Sequence, residues 1–217
     1  MRLSVDSHSL KEPISRRALL TGAGAALGTF ISSDVNAWAL LKPEAADHNG
    51  QHQNAVTDVQ TVDWRTSLLS RPRILKVRRP ATKEFTSTLY WHPGTGIQRD
   101  GYSQLCWLMR DVRAGKAVAM DPRLLDLLCG IQYWLAFYGH NYYIDILSGH
   151  RTRETNSRTE GAAKHSLHIA GMAADIRIPG LPTSVLGQMA RAFGIGGTGF
   201  YVDRGFIHVD TGRVRSW

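Results

Sequence analysis

The sequence is poor in cysteine, in acidic residues and in long apolar runs, and these shortages exclude several classes of protein. It contains two cysteines in 217 residues and no C-x-x-C pair, so the chain by itself offers no thiolate zinc site. No apolar run reaches the roughly 20 uncharged residues that a membrane-spanning helix needs, so we expect no stable membrane insertion of the mature chain. The glycine-rich segments contain no G-x-x-x-x-G-K-[ST] motif, which argues against a phosphate-binding loop.

The balance of charge is basic. There are 18 acidic residues against 26 lysines and arginines, which gives a formal net charge of +8. A basic surface favours anionic partners such as nucleic acid, acidic lipid headgroups or an acidic cell-wall polymer, although a solvated basic surface is the simpler interpretation. The basic residues are spread through the chain, without an arginine-rich tract or a recognisable nucleic-acid-binding module. We therefore expect no nucleic-acid partner.

The first 39 residues have the pattern of an export signal. Arg16 and Arg17 form a twin-arginine pair, a Gly/Ala-rich apolar segment follows over 18–31, and an A-x-A pattern ends at Ala39. A basic region, an apolar region and a small-residue cleavage site are typical of a bacterial signal peptide. An amphipathic N-terminal helix is the alternative, and the glycines of the apolar segment disfavour it. The pattern predicts a twin-arginine signal peptide over 1–39 and a periplasmic location.

The remaining chain divides into a polar segment and a folded domain. Residues 40–72 are rich in His, Asn, Gln and Gly, and we interpret them as a linker or N-terminal arm. Residues 73–217 have the patterns of regular structure. Alternating, β-branched and aromatic residues predict a first hairpin, with strands over 73–78 and 84–91.

Two helices are expected after this hairpin. The first is predicted over 103–113, with its initial serine as the cap. The second is predicted to begin at Asp121, which a proline follows, and to end near Gly139; its apolar residues recur at helical spacing, as in a core helix. Cys106 and Cys129 fall one in each helix. A disulfide and two buried free thiols are both compatible with this placement.

Strand and helix patterns alternate in the second half of the chain. Strands are predicted over 143–148 and 172–178, then a helix capped by Thr183. A second hairpin is predicted over 197–202 and 206–209. The fold class expected from these elements is α+β, with a small antiparallel sheet packed on helices.

One block of residues offers metal-binding chemistry. Residues 166–175 follow the pattern S-x-H-x-x-G-x-A-x-D and contain His168 and Asp175, and His208 lies in a short apolar run near the C-terminus. Two imidazoles and one carboxylate suit Zn²⁺ with a fourth position open to water. Each residue alone has a simpler explanation, such as a satisfied polar group or an Asx turn. The block is more specific than its members.

This block and three other motifs resemble the M15 class of zinc peptidases, and in particular its exported DUF882 branch. The resemblance covers about 73–217 and is carried by residues 148–152 (S-G-H-R-T), 164–168 (K-H-S-L-H), 196–201 (G-G-T-G-F-Y) and 206–217 (F-I-H-V-D-T-G-R-V-R-S-W). It implies a Hedgehog/D,D-peptidase fold, Zn²⁺ held by His168, Asp175 and His208, and hydrolysis of peptide bonds in peptidoglycan stems or cross-bridges.

The resemblance also implies roles for residues around the metal. Arg151 matches the arginine of the S-G-x-R element, where a guanidinium would hold a substrate carboxylate or stabilise the developing oxyanion. Ser166 would orient its loop or donate a hydrogen bond to substrate. His165, its neighbour, is a further candidate for substrate binding.

The general base is the point at which the sequence departs from the family. Many members have an acidic residue three positions before the last zinc histidine, and here that position is Gly205. Hedgehog-like relatives have a histidine two positions before it, and here that position is Phe206. Asp210 is either the base or a group that orients a zinc ligand. His150 and His165 are the other titratable candidates.

The sequence thus predicts a periplasmic zinc metallopeptidase of D,D- or L,D-type that acts on peptidoglycan cross-links. Two alternatives stay open. One is a non-catalytic zinc-containing module that binds the cell wall, which the missing acid at position 205 favours. The other is a different periplasmic zinc peptidase or amidase. The sequence contains no signal for an oligomeric state and does not distinguish 3-3 from 4-3 cross-links.

Overall fold

The computed structural model describes residues 64–217, so the predicted signal peptide and most of the predicted arm lie outside the described residues. This part of the chain has an α+β fold of five helices and eight strands. The helices are α1 (Trp64–Leu69), α2 (Arg99–Leu108), α3 (Pro122–Phe137), α4 (Arg153–Ser157) and α5 (Thr183–Phe193). The strands are β1 (Arg73–Arg79), β2 (Glu84–His92), β3 (Gly96–Ile97), β4 (Ile144–Ser148), β5 (Ala173–Arg177), β6 (Gly197–Tyr201), β7 (Phe206–Asp210) and β8 (Arg215–Ser216).

The strands form one mixed sheet in the order β3-β2-β1-β4-β5-β7-β6-β8. β4 is parallel to β1 and β8 is parallel to β6, whereas the other neighbours are antiparallel. The expectation of a small antiparallel sheet was therefore wrong in both size and pairing. Alternation along a strand does not specify its neighbour. The long connection through α2 and α3 returns the chain to the other side of β1, where β4 enters in the parallel direction.

Helices cover one face of the sheet and leave the other face open. Side chains on the covered face are fully buried, among them Leu75, Val77, Ile144, Ile176 and Ile207. Helices α2, α3 and α5 pack against these strands. Successive side chains of a strand point to opposite faces, so the alternate residues occupy the open face. This open face carries polar side chains, namely Arg78, Asp145, Asp175, Arg177 and His208.

Both predicted hairpins and the predicted core helix are confirmed. The Asp121 side chain caps α3 by accepting a hydrogen bond from the Arg123 N–H, at 2.9 Å. Gly139 follows the end of this helix with φ +80°, a conformation that glycine adopts without strain. The capping residue and the glycine that follows the helix are local signals, which is why the sequence predicts this helix well.

Two other helix starts were predicted wrongly. Helix α2 begins at Arg99, four residues before Ser103, and Gln98 at its N-cap makes no side-chain capping bond. Its first turn is instead set by close packing, because any Cβ at Gly101 would meet the Leu89 carbonyl of β2. Thr183 is the first residue of α5 rather than its cap. Tertiary contact thus replaces side-chain capping at the start of α2, and Pro182 at the N-cap of α5 makes no side-chain capping bond.

Both cysteines are buried thiols without a disulfide. Burial raises the pKa of Cys129 to about 12, so this thiol is inert at neutral pH. Helix α1 lies in the segment predicted as an arm and packs against α3. Within residues 64–217, no helix has both the length and the apolar character needed to cross a membrane.

Candidate metal centre

Two neighbouring strands and the loop before them bring three potential metal ligands together. Asp175 of β5 and His208 of β7 are register partners in the sheet, so their side chains project side by side from the open face. His168 belongs to the turn that precedes β5. Gly171 closes this turn with φ +71° and lies against the Ala119 carbonyl, where a side chain would not fit. The 166–175 block therefore folds locally so that both of its donors face the same point.

The three donor atoms are close enough to share one ion. His208 Nδ1 lies 2.9 Å from Asp175 Oδ1 and 3.2 Å from His168 Nε2, and the His168 Nε2–Asp175 Oδ1 distance is 3.3 Å. Ligand atoms about 2.0–2.1 Å from a tetrahedral zinc are about 3.3 Å from each other. His168 is 1% exposed, whereas the other two side chains retain access to the cleft. The donor set and its spacing fit a zinc ion.

Each imidazole is held by its second nitrogen. His168 Nδ1 is 2.6 Å from the Gly149 carbonyl oxygen, which only accepts, so Nδ1 carries the proton and Nε2 is left with a lone pair. His208 Nε2 is 3.2 Å from Asp210 Oδ2, which leaves Nδ1 of that ring for the ion. A carbonyl or carboxylate behind each histidine is the usual arrangement for metal ligands.

Asp210 is closed to solvent and its carboxylate is fully engaged. Oδ1 accepts hydrogen bonds from the backbone N–H groups of Gly197 and Gly212, both at 2.9 Å, and Oδ2 accepts from Arg215 Nη2 at 2.8 Å. Burial raises the pKa of Asp210, but the hydrogen bonds from His208, Arg215 and the backbone outweigh it and hold the pKa well below its usual range. These contacts suit a residue that orients His208.

Arg151 lies beside the three potential metal ligands rather than at the rim of the cleft. Its Nη2 is 2.5 Å from Asp175 Oδ2 and 3.1 Å from His168 Nε2, and its Nε donates to Ser148 Oγ at 2.9 Å. Burial raises the pKa of Asp175, but hydrogen bonds from both histidines and the charge of Arg151 hold it well below the usual range. The centre therefore holds Asp175 as a carboxylate.

The other predicted residues line one cleft of about 950 Å³ beside the donors. Ser166 is half-buried and its Oγ accepts a hydrogen bond from the His168 N–H at 3.4 Å, so it supports the turn that carries His168. His165 is exposed in the cleft. His150 is buried, with Nδ1 3.1 Å from the His168 carbonyl, and thus braces the same loop from behind.

Neither position at which the sequence resemblance would place a base offers one here. Gly205 ends the 3₁₀ turn Val202–Arg204 with φ +69°. The Phe206 ring stacks on Tyr201, with ring centroids 4.7 Å apart. The turn geometry favours glycine, because glycine adopts this φ without the strain that most residues with a Cβ incur.

Sequence reasoning missed two contributors to the site. The Gly149 carbonyl that holds His168 is a backbone group, and no residue pattern marks it. The Trp217 ring lies 5.5 Å from the His208 ring and its Nε1 donates to Tyr201 Oη at 3.3 Å. Trp217 thus lines the cleft beside His208, and its position as the aromatic residue that ends the 206–217 motif was the sequence signal that could have indicated this.

Comparison with known proteins finds a family model and curated relatives that carry the same description. A family model described as Peptidoglycan L,D-endopeptidase MepK, of the Peptidase_M15_2 family, matches residues 67–217. The probable peptidoglycan L,D-endopeptidase MepK of Haemophilus influenzae is 37% identical over 151 residues, which covers 68% of this chain and 80% of the relative. Peptidoglycan L,D-endopeptidase MepK of Escherichia coli K12 is 34% identical over 151 residues, which covers 68% of this chain and 81% of the relative. No solved structure matches the chain.

Proposed function

Because the chain belongs to the Peptidase_M15_2 family of MepK-type peptidases, we propose that it is a zinc-dependent hydrolase of peptide bonds in peptidoglycan cross-links. One observation carries this proposal: the donor atoms of His168, Asp175 and His208 converge within the matched residues. The relatives' names support an L,D-endopeptidase, and the family supports the Hedgehog/D,D-peptidase fold expected from the sequence.

His168, Asp175 and His208 would hold the zinc ion. When bound, zinc lowers the pKa of a coordinated water to about 7 and polarises the carbonyl of the scissile peptide bond. The Gly149 carbonyl and Asp210 keep the two imidazoles in the tautomers that leave a lone pair toward the ion. We therefore assign Asp210 to positioning His208.

We assign Arg151 to stabilising the negative charge that develops during the reaction. Its guanidinium is anchored by Ser148 and Asp175 beside the donor atoms. A fixed positive charge at this place stabilises an oxyanion or a substrate carboxylate without reorganisation during the reaction. Ser166 holds the turn that carries His168 and lines the cleft, and we assign its half-buried hydroxyl to a hydrogen bond with the substrate.

Proton transfer is assigned to His165 among the three titratable candidates. Asp210 and His150 are buried and engaged with His208 and the His168 carbonyl, respectively. His165 is exposed in the cleft, where its imidazole is open to a substrate and to water. The predicted twin-arginine signal supports action in the periplasm, where this substrate lies.

The test uses the zinc-loaded full-length protein with cross-linked muropeptides of defined 3-3 and 4-3 structure, and the products are identified by mass. We expect cross-linked dimers to become monomers, with loss of activity on chelation and recovery on addition of zinc. Intact dimers in the presence of bound zinc would instead favour a wall-binding module. Release of whole stem peptides from the glycan would identify an amidase.

A further inference from the structure

A row of charged and aromatic side chains extends across the open face of the sheet, away from the metal centre. Register pairs join Phe85 of β2 to Arg78 of β1, Arg78 to Asp145 of β4, and Asp145 to Arg177 of β5. Directly paired residues project to the same face, so these four side chains form one continuous row. Arg177 lies two residues beyond Asp175 on the same strand. The row therefore begins next to the metal ligands.

Asp145 is buried under the two arginines of this row. It is 1% exposed, and its carboxylate binds Nε of Arg78 and, at 3.1 Å, Nε of Arg177. The arginine side chains are 45% and 46% exposed. Among the described residues, no other hydrogen bond is found for either guanidinium. Their terminal amino groups thus face solvent with free N–H donors.

One carboxylate does not neutralise this surface. Two guanidinium groups surround Asp145, and Lys83 adds a third, exposed cation at the adjoining turn. The nearby Glu84 carboxylate pairs with Arg110, at 3.0 Å, and is not available to the arginines of the row. The local net charge is positive, and the Asp145 carboxylate holds the two guanidinium groups in position for an incoming anion.

A groove of about 560 Å³ passes over these residues. Phe85, which is 72% exposed, and the half-buried Tyr143 supply aromatic surface, and two prolines border the groove. Free guanidinium donors beside exposed aromatic rings suit a ligand with both carboxylates and apolar segments. An acidic peptide has this combination of groups.

We propose that this groove is an anchoring subsite for the carboxylate-bearing stem peptide of peptidoglycan, beyond the bond that is cleaved; this inference rests on the proposed function. Arg177 lies two positions after Asp175 on β5, which is about 7 Å at the usual rise of a strand. An extended peptide advances about 3.3–3.6 Å per residue. A stem held at the metal centre therefore reaches the arginines within two to four residues.

The test measures sedimentation of the full-length, chelator-treated protein with purified sacculi, so that binding is read without cleavage. The first variant, Lys83→Asn with Phe85→Ala, removes one charge and one exposed ring. Lys83 has φ +59°, which asparagine tolerates, so this variant is expected to fold. The second variant is Arg78→Gln with Asp145→Asn and Arg177→Gln, which also lowers the net charge by one and leaves no buried unpaired carboxylate.

Arg99→Gln is the matched control, because Arg99 is exposed at the start of α2 and its loss changes the net charge equally. Sacculi whose carboxyl groups have been converted to amides are the second probe. We expect both variants to bind intact sacculi roughly tenfold more weakly at low ionic strength, the control to bind as the parent does, and amidated sacculi to bind the parent no better than the variants.

Parent-like binding by the first variant, or equal binding of the parent to intact and amidated sacculi, would overturn the subsite. This readout is separate from the cleavage assay. If the parent protein does not cleave muropeptides but still binds sacculi more tightly than the variants, the proposed hydrolase is refuted and the groove remains a wall-binding surface. If the parent cleaves muropeptides but binds sacculi no better than the variants, the hydrolase stands and the subsite is refuted.

Discussion

At the scale of single residues, the candidate metal centre depends on groups other than its three proposed ligands. The Gly149 carbonyl and the Asp210 carboxylate each hold one imidazole by its far nitrogen, and Arg151 holds the free oxygen of Asp175. These contacts fix the ring orientations before any metal binds. Preorganisation of this kind raises affinity because less freedom is lost on binding.

Replacement of Asp210 by asparagine tests this positioning role. Asp210→Asn removes the charged acceptor behind His208 and is expected to weaken zinc binding by about 10–100-fold, as is typical when a partner of a metal ligand is lost. Competition with a chromophoric chelator measures the affinity. Asp203→Asn, at an exposed position of the turn between β6 and β7, is the matched control. An unchanged affinity in Asp210→Asn would remove the residue from this role.

At the scale of secondary-structure elements, one aspartate joins the turn after α2 to the start of α4. Asp111 Oδ2 accepts from the Thr152 N–H at 2.8 Å and from Thr152 Oγ1 at 2.9 Å, and Oδ1 accepts from the Arg113 and Ala114 N–H groups. Thr152 follows Arg151 directly. Asp111 therefore anchors the loop that carries the guanidinium of the site.

Acid is expected to release this anchor. Burial raises the pKa of Asp111, but the hydrogen bonds from Thr155, Thr152 and Ala114 outweigh it and lower the pKa to about 2. A depressed folded-state pKa gives stability that is complete above the unfolded value, near pH 4, and is lost as the pH falls through about 2. Asp111→Asn should therefore cost about 1–3 kcal/mol at pH 7 and progressively less below pH 4.

Urea unfolding at a series of pH values measures this difference. Asp100→Asn, an exposed acid in the first turn of α2, is the control. A destabilisation by Asp111→Asn that is the same at pH 7 and pH 2.5 would contradict the assigned pKa.

The start of α2 gives a second prediction at this scale. Gly101→Ala would place a methyl group on the Leu89 carbonyl and separate the helix from β2, so we expect a loss of about 2 kcal/mol or more. Ser103→Ala is the control at an exposed position of the same helix, and it should be neutral or slightly stabilising because Ser103 caps nothing. Thermal unfolding compares the stabilities of the two variants. A large loss of stability in Ser103→Ala alone would show that Ser103 caps the helix after all.

At the scale of the whole molecule, the mixed sheet separates stability from function. Its covered face holds the apolar core, and its open face holds the candidate metal centre and the groove over Arg78 and Arg177. A ligand on the open face therefore makes contact with residues whose charges are not needed by the core. Since the donors come from β5, β7 and the preceding loop, an ion would also tie together segments distant in sequence.

Zinc is expected to stabilise the fold for this reason. A ligand that binds only the folded state adds about 4 kcal/mol at a thousandfold excess over its dissociation constant. Differential scanning calorimetry of the full-length protein should show a higher melting temperature with zinc than with chelator. His208→Ala should lose this increment, whereas His140→Ala, at an exposed position after α3, should keep it. Equal zinc shifts in both variants would place the ion elsewhere.

The sequence by itself determined the local features of this protein. The hairpins, the core helix from Asp121 and the spacing of His168 and Asp175 depend on neighbours in the chain, and local periodicity and turn residues record them. Only the tertiary structure decided the parallel entry of β4, the start of α2 at Arg99, and the partners of Asp210 and Arg151. These depend on contacts between residues far apart in sequence, and the preference of one residue for its own conformation does not encode which distant surface it will meet.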